Sequence, residues 1–315
     1  MLGPGLTLRP ARTTDAAAIT ALMITADESE GQAPWVTELD VVEDLHDPDL
    51  DLETDTWVVE DAGAVVGYGE LWNSRLEAAD AMEVQVWTAP THRGRGIGST
   101  LADLSEAAAT DAARLFAKRP VLLRNFISAG DAAARALLEA RDYKLVRHFF
   151  HMAIDLADVG DPPPPPDGVT IRSLDPERDA RPLYDLIQHA FSQHWNWTPM
   201  TFEAFWRRVG EREDFDPELS LIAMRGDDYV GASWNVTKID RGWVQDLAVH
   251  ESARRMGLGE SLLRHTFKVF KDRGWNKVGL GLDADNATGA LRLYQRVGMH
   301  VTRQFDAYEK DVAPF

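Results

Sequence analysis

Short stretches in which apolar and polar residues alternate recur along this chain, and each is followed by apolar residues at helical spacing. Leu6-Thr7-Leu8-Arg9 alternates with the period of two that a strand requires. After a polar stretch, Ile19-Thr20-Ala21-Leu22-Met23 then places apolar side chains on one helical face. The same order returns at Val169-Thr170-Ile171-Arg172 and Leu183-Tyr184-Asp185-Leu186-Ile187, with Arg172 standing 163 positions after Arg9. Thr56 to Glu60 and Ala64 to Glu70 flank a turn at Asp61-Ala62-Gly63 and predict a hairpin. Leu219 to Met224 and Tyr229 to Trp234 predict a second one, 164 to 165 positions later. Arg93 and Arg254 open glycine-bearing loops 161 positions apart. Near-constant offsets in an unchanged order indicate an internal duplication.

Each copy reads as strand, helix, a further helical stretch, hairpin, strand, glycine loop, helix, strand, helix and strand. Hairpins combined with a strand-loop-helix crossover predict an α/β fold with a mixed, mostly antiparallel sheet flanked by helices. Between the copies lies Asp161-Pro162-Pro163-Pro164-Pro165-Pro166-Asp167-Gly168, which can join neither a helix nor a central strand. The expected organisation is an N-terminal domain over residues 1–158, a linker over 159–168 and a C-terminal domain over 169–315. A length of 315 residues, 44% of them hydrophobic, supplies two cores.

Charge and composition narrow the chemistry. A net charge of −18 disfavours nucleic acid and anionic membrane surfaces as partners. The absence of cysteine removes disulfides, thiolate nucleophiles and Cys-ligated zinc, and no metal requirement is expected. With neither an apolar leader nor a membrane-length apolar run, a cytoplasmic location is expected.

The glycine loops carry the candidate chemistry. Val84 to Trp87 reads as a strand that runs through Thr91-His92-Arg93-Gly94-Arg95-Gly96-Ile97-Gly98 into a helix beginning near Ser99. Glycines at such a junction let backbone N–H groups converge at the positive end of a helix, which suits a phosphate. A tight turn with solvated arginines is the alternative for one such loop; recurrence at Arg254-Arg255-Met256-Gly257-Leu258-Gly259 favours the anion cradle. The GxGxxG dinucleotide fingerprint and the GxxxxGK[ST] phosphate loop are both absent.

Both loops match [QR]-x-x-G-x-[GA], and the chain thereby resembles the GNAT superfamily of N-acetyltransferases, twice and over nearly its whole length. Asn286-Ala287-Thr288-Gly289-Ala290-Leu291-Arg292-Leu293-Tyr294 through Gly298-Met299 is similar to that superfamily's acid-bearing helix, although Asn286 and Tyr294 are eight apart, one more than usual. The tandem arrangement resembles the mycothiol synthase type. The resemblance implies two tandem acyl-CoA N-acyltransferase domains and acetyl-CoA as acyl donor. In the C-terminal copy it assigns donor binding to Leu247, Val249, Arg254, Arg255, Met256, Gly257, Leu258, Gly259, Glu260, Ser261 and Asn286. In the N-terminal copy the matching positions are Val86, Thr88, Arg93, Gly94, Arg95, Gly96, Ile97, Gly98 and Ser99. It further implies a backbone N–H at Leu247 or Val249 as oxyanion donor.

Acetyl transfer from a thioester to an amine needs an acid for the departing thiolate, and a phenol, ordinarily titrating near pH 10, is suited to that task. Tyr294 is the expected acid. In the N-terminal copy Leu138 stands opposite Tyr294 and Gly130 opposite Asn286, so that copy is expected to lack catalysis. Several relatives carry a glutamate base six residues before the valine of L-x-V; Trp243 stands there in this chain. Asp246 is the nearest substitute, with His250, Glu251 or a water chain as alternatives. Trp195 and Trp197, within Phe191 to Met200, are candidates for the acceptor slot. The expected activity is acetylation of a primary amine of a small molecule by a monomer or homodimer. The mycothiol synthase reaction on a cysteinyl glucosaminyl-inositol and a non-catalytic CoA sensor are the alternatives.

Overall fold

The structure, a computed structural model, describes residues 2–75, 81–117, 120–192, 194–195, 197–285 and 289–312. Its contacts divide the chain into two compact units, Met1–His148 with Gln304–Phe315, and Phe149–Arg303. The first half contributes β1 (Leu6–Arg9), α1 (Ala16–Ser29), α2 (Glu38–His46), α3 (Leu52–Asp55), β2 (Thr56–Asp61), β3 (Ala64–Trp72), β4 (Ala81–Thr88), α4 (Ile97–Ala112), β5 (Val121–Ser128), α5 (Ala132–Glu139) and β6 (Lys144–Asp155). The second contributes β7 (Thr170–Ser173), α6 (Pro176–Phe191), α7 (Phe202–Val209), β8 (Leu221–Arg225), β9 (Asp228–Thr237), β10 (Gly242–Val249), α8 (Leu258–Asp272), β11 (Lys277–Asp283), α9 (Ala290–Arg296) and β12 (His300–Val312). No described helix is long and apolar enough to cross a membrane.

In the first unit the sheet runs β1-β2-β3-β4-β5 and is completed by the C-terminal part of β12, which pairs antiparallel with β5 from Phe305↔Ser128 to Val312↔Val121. Among the described residues of this sheet only β4 and β5 are parallel, over Ala81–Val84 and Leu122–Asn125. Helix α4 buries Ile97, Leu101 and Ala109 on this sheet. It comes so close that a Cβ on Gly67 would lie 2.5 Å from Ile97.

The second unit repeats the plan, with β7-β8-β9-β10-β11 completed by Phe149–Asp155 of β6. Helix α8 buries Leu258, Leu262, Leu263, Phe267 and Phe270, each worth roughly 1.5–3 kcal/mol. Gly231 lies under Leu258 and Leu262 as Gly67 lies under Ile97. A buried chain of hydrogen bonds from Thr266 to Ser233 (3.0 Å) and from Ser233 to Asn235 (2.8 Å) fixes α8 against β9. The paired arginines of the repeat do matching work. Arg9 forks onto Asp15 at 2.7 and 2.9 Å, and Arg172 onto Asp179 at 2.5 and 2.8 Å, each tying a first strand to the start of a first helix.

Two tandem α/β domains with mixed sheets are therefore present, but their limits differ from those read off the sequence. The proline segment at 159–168 does not part the units; it lies within the second, connecting β6 to β7. The reason is strand pairing. The sequence reading ends the N-terminal domain at 158, whereas Phe149–Asp155 bonds to β11, and Gln304 onward bonds back to β5.

Candidate active site

Two parallel strands part in the second unit. Strands β10 and β11 pair only over Gly242–Val244 and Val278–Leu280. Beyond that, Gly281–Asp283 remain bonded to Phe149–His151 of β6, while β10 follows β9 alone. A bulge accompanies the parting, because Val244 pairs with Asn235 and Asp246 with Trp234, leaving Gln245 as an extra residue. A cavity of about 710 Å³ opens there. It is lined by Val244, Gln245, Leu247 and Val249 of β10, Leu280 to Asp283 of β11, Phe149 to His151 of β6, and Ala290, Leu293 and Tyr294 of α9. The corresponding strand of the first unit, β4, pairs with β3 in unbroken register from Gly67↔Thr88 to Trp72↔Glu83.

At one end of the cavity sits the glycine loop. Gly257 has φ +82° as the N-cap of α8 and offers no capping side chain, so the first N–H groups of the helix stay open to an anion. Arg255 shares the left-handed region at φ +64°. A Cβ on Gly259 would stand 3.2 Å from Leu293, which keeps this approach to α9 narrow. Arg254, Arg255, Gly257, Leu258, Gly259 and Glu260 line the cavity. Among the described residues no acidic side chain pairs with Arg254 or Arg255, and the site fits a polyphosphate. Met256 instead projects outward, 42% exposed, and Ser261 is buried in α8. Asn286 lies outside the described residues.

The first unit has the same loop with its charges already met. Gly94 and Gly96 take φ +79° and +81°, ahead of Ile97, Gly98 and Ser99 on α4, with Val86 and Thr88 half-buried on β4. Arg93 lies 3.5 Å from Glu30 and 3.9 Å from Asp131, and Arg95 lies 2.5 Å from Asp61. The Gly3 N–H donates to the Arg95 carbonyl. Leu138 occupies the place of the tyrosine: Tyr143 N–H donates to Leu138 O as Met299 N–H donates to Tyr294 O. Leu138 is buried in the unit's core.

Tyr294 is 9% exposed, lines the cavity, and its phenol is pushed up to about 12, first by burial and then by the charge of Asp246. Asp246 lies on the bulged strand between two lining residues, Gln245 and Leu247. The residue is half-buried, and burial pushes its carboxyl up to about 7. Neither side chain has a hydrogen bond among the described residues. Tyr294 at the cavity and Asp246 on the adjoining strand thus both carry displaced pKa values, and the charge of Asp246 reaches the phenol.

The other end of the cavity is aromatic. Trp195 lines it, its ring 5.8 Å from that of Phe149. Phe191 and His194 line it too, with ring centroids 4.4 Å apart. Burial lowers the His194 imidazole, Asp283 opposing and Arg254 assisting. Trp197 is not among the lining residues; it packs against Phe191 in the layer beneath. Trp243, at the position where relatives carry a glutamate, lies edge-on to His151 at 4.9 Å and fills the space over Gly279. Burial, followed by Arg303, Arg241 and Lys238, lowers His151 to about 3, so it stays neutral. Phe149, Phe150 and His151 escaped the sequence reading because they precede the prolines. No local pattern marks them, since β6 interleaves Lys144, Arg147, His148 and His151 with its apolar residues.

Comparison with known proteins agrees with this geometry. The Acetyltransferase (GNAT) family matches residues 21–140 and again 180–299. The mycothiol acetyltransferase of Catenulispora acidiphila is 29% identical over 311 residues, covering 93% of this chain and 94% of that protein. A GCN5-related N-acetyltransferase from Sphaerobacter thermophilus superposes with a TM-score of 0.83 at 31% identity, covering 100% of this chain and 98% of that one. A tandem GNAT protein from the clavulanic acid biosynthesis pathway shares the fold, with a TM-score of 0.76 at 19% identity and coverage of 98% and 99%. With both halves matched, the chain belongs to the GNAT family as an acetyl-CoA-dependent N-acetyltransferase of tandem type.

Proposed function

We propose that the second unit carries the catalysis, acetylating the primary amine of a small molecule with Asp246 as base and Tyr294 as acid. The observation that carries this reading is the buried Tyr294 phenol lining the cavity where β10 and β11 part, close enough to Asp246 for that carboxylate's charge to raise it. Asp246 accepts a proton from the amine through a water, since its carboxyl is recessed between lining residues. The amine nitrogen bonds to the thioester carbonyl carbon, and a β10 N–H at Leu247 or Val249 receives the oxyanion. The carbon–sulfur bond then breaks, and the thiolate takes the Tyr294 proton. The order of events helps the acid. Once Asp246 is protonated its charge no longer raises Tyr294, which becomes more acidic as the thiolate departs.

Arg254, Arg255 and the open N-terminus of α8 hold the donor's pyrophosphate, and Trp195 with Phe149 walls the acceptor. The first unit is proposed to be non-catalytic, with Leu138 in place of the acid and its loop arginines neutralised internally. A second reading is favoured by the likeness to mycothiol acetyltransferase: a cysteinyl amine on a glucosaminyl-inositol as the acceptor. Turnover of acetyl-CoA against a panel of amines, that one included, tests both readings. The chain holds no cysteine, so released CoA can be titrated without background except with the cysteinyl acceptor, which requires mass detection. Binding of acetyl-CoA without turnover of any amine would make the protein a CoA sensor instead.

A further inference from the structure

Beside the cavity, two histidines and a glutamate from separate elements converge. His189 lies near the end of α6, His250 directly follows β10, and Glu251 opens the short turn that leads into Arg254. Their ligand atoms all lie within 4.8 Å of one another. The two imidazole rings face each other, centroids 5.2 Å apart and planes 23° from parallel. None of the three serves a core, for His189 and Glu251 are exposed and His250 is half-buried. Among the described residues no hydrogen bond or ion pair reaches the His189 ring or the Glu251 carboxylate.

His250 is held from behind. Its Nδ1 lies 2.9 Å from Ser252 Oγ, an oxygen that accepts from Arg225 Nη2 at 3.2 Å. The Ser252 N–H donates to Nδ1 at 3.3 Å, so that nitrogen acts as an acceptor and Nε2 carries the ring proton. Binding an ion at Nε2 shifts the proton to Nδ1, which then gives up the long bond from the Ser252 N–H and donates to Oγ, the arrangement in which metal-bound histidines are supported. Two imidazole nitrogens and one carboxylate oxygen suit a borderline ion such as Zn²⁺; Mg²⁺ and Ca²⁺ prefer all-oxygen sets.

We propose that His189, His250 and Glu251 bind a divalent transition metal ion of the Zn²⁺ class, with water completing its coordination. The ion fastens the end of α6, from which the Trp195 segment departs, to the turn that opens the donor loop. It takes no part in the transfer chemistry, and its existence is independent of the acid and base assigned above. The sequence gives no hint of it, because the histidines are far apart in the chain and only α6 packing beside β10 brings them together.

The test uses the full-length, tag-free chain stripped of metal by a chelator and titrated with ZnCl₂ by calorimetry, with MgCl₂ in parallel. One Zn²⁺ per chain is expected, with no Mg²⁺ response and a rise in melting temperature on adding Zn²⁺. The double variant His189→Ala/His250→Ala loses both the binding and the thermal shift while keeping the parent's circular dichroism. Ser252→Ala, which removes the support behind His250, weakens binding about tenfold. Absence of Zn²⁺ binding by the parent chain, or binding of equal strength by the folded double variant, overturns the proposal.

Discussion

Replacing Asp246 by asparagine separates stability from catalysis in opposite directions. A carboxyl that ionises at about 7 in place of its ordinary 3.8 is one whose charge the fold disfavours. At 1.36 kcal/mol per pH unit, the cost of ionising it in the folded chain reaches about 4 kcal/mol, an upper figure because the residue is only half-buried. Between those two values the unfolded chain holds the group ionised while the folded chain keeps it protonated. The folded state then binds one proton more, so this group's contribution to stability is present at acid pH, is lost as pH rises from about 4 to about 7, and changes no further above that. Asp246→Asn removes the dependence. In urea unfolding the variant should match the parent near pH 4 and exceed it by up to about 4 kcal/mol near pH 8. In turnover it should lose about 10²-fold or more in kcat/KM, the usual worth of a general base. The parent's kcat/KM should fall about tenfold per pH unit below 7, a limb that the variant lacks even though any limb from the amine's own ionisation persists. A variant with the parent's activity and the parent's pH profile would refute the assignment.

Tyr294→Phe removes the acidic hydroxyl from a side chain already 9% exposed; kcat should fall about 10²-fold with little change in the KM for acetyl-CoA, read by steady-state kinetics. Arg254→Glu should raise the KM for acetyl-CoA sharply, while Arg93→Glu, at a loop whose arginine is already met by Glu30 and Asp131, should leave turnover close to the parent's. Asp179 is buried and, despite the burial that opposes its charge, is held well below the usual carboxylate range by Arg172, Tyr229 and the Asp175 N–H. Its contribution is present above about pH 4 and lost as pH falls further, and Asp179→Asn should cost about 3 kcal/mol at pH 7, measured by urea unfolding.

The duplication, the loop at Arg254 to Gly259 and the position of Tyr294 were legible because each rests on local order: alternation, glycine spacing, and a helix ending at Gly298. What escaped depends on partners distant in sequence. Nothing local says that Phe149–Asp155 will bond to Lys277–Asp283, so the boundary was drawn at the prolines and His151 was left outside the site. The bulge at Gln245 is likewise a property of two strands in register. Trp197 looked like a wall of the acceptor slot because it is two residues from Trp195, but its ring turns toward Phe191 and the layer beneath. Trp243 was read as a missing base; in the fold it is a filler, packed over Gly279 against a neutral His151.

The exchange of final strands alters what counts as half of this gene. In connectivity the chain is one domain inserted into another, since Phe149–Arg303 is an uninterrupted segment and the remainder is interrupted by it. Division at the prolines would leave two fragments that each lack a strand and expose the bare edges of β5 and β11, edges that invite aggregation. Excision at 149 and 303 would instead lift out a domain with its sheet complete, and a short bridge between His148 and Gln304 would leave the other with its own. In its wiring the tandem repeat is a nested pair, and neither copy can be cut away at the prolines without damage to the other's sheet.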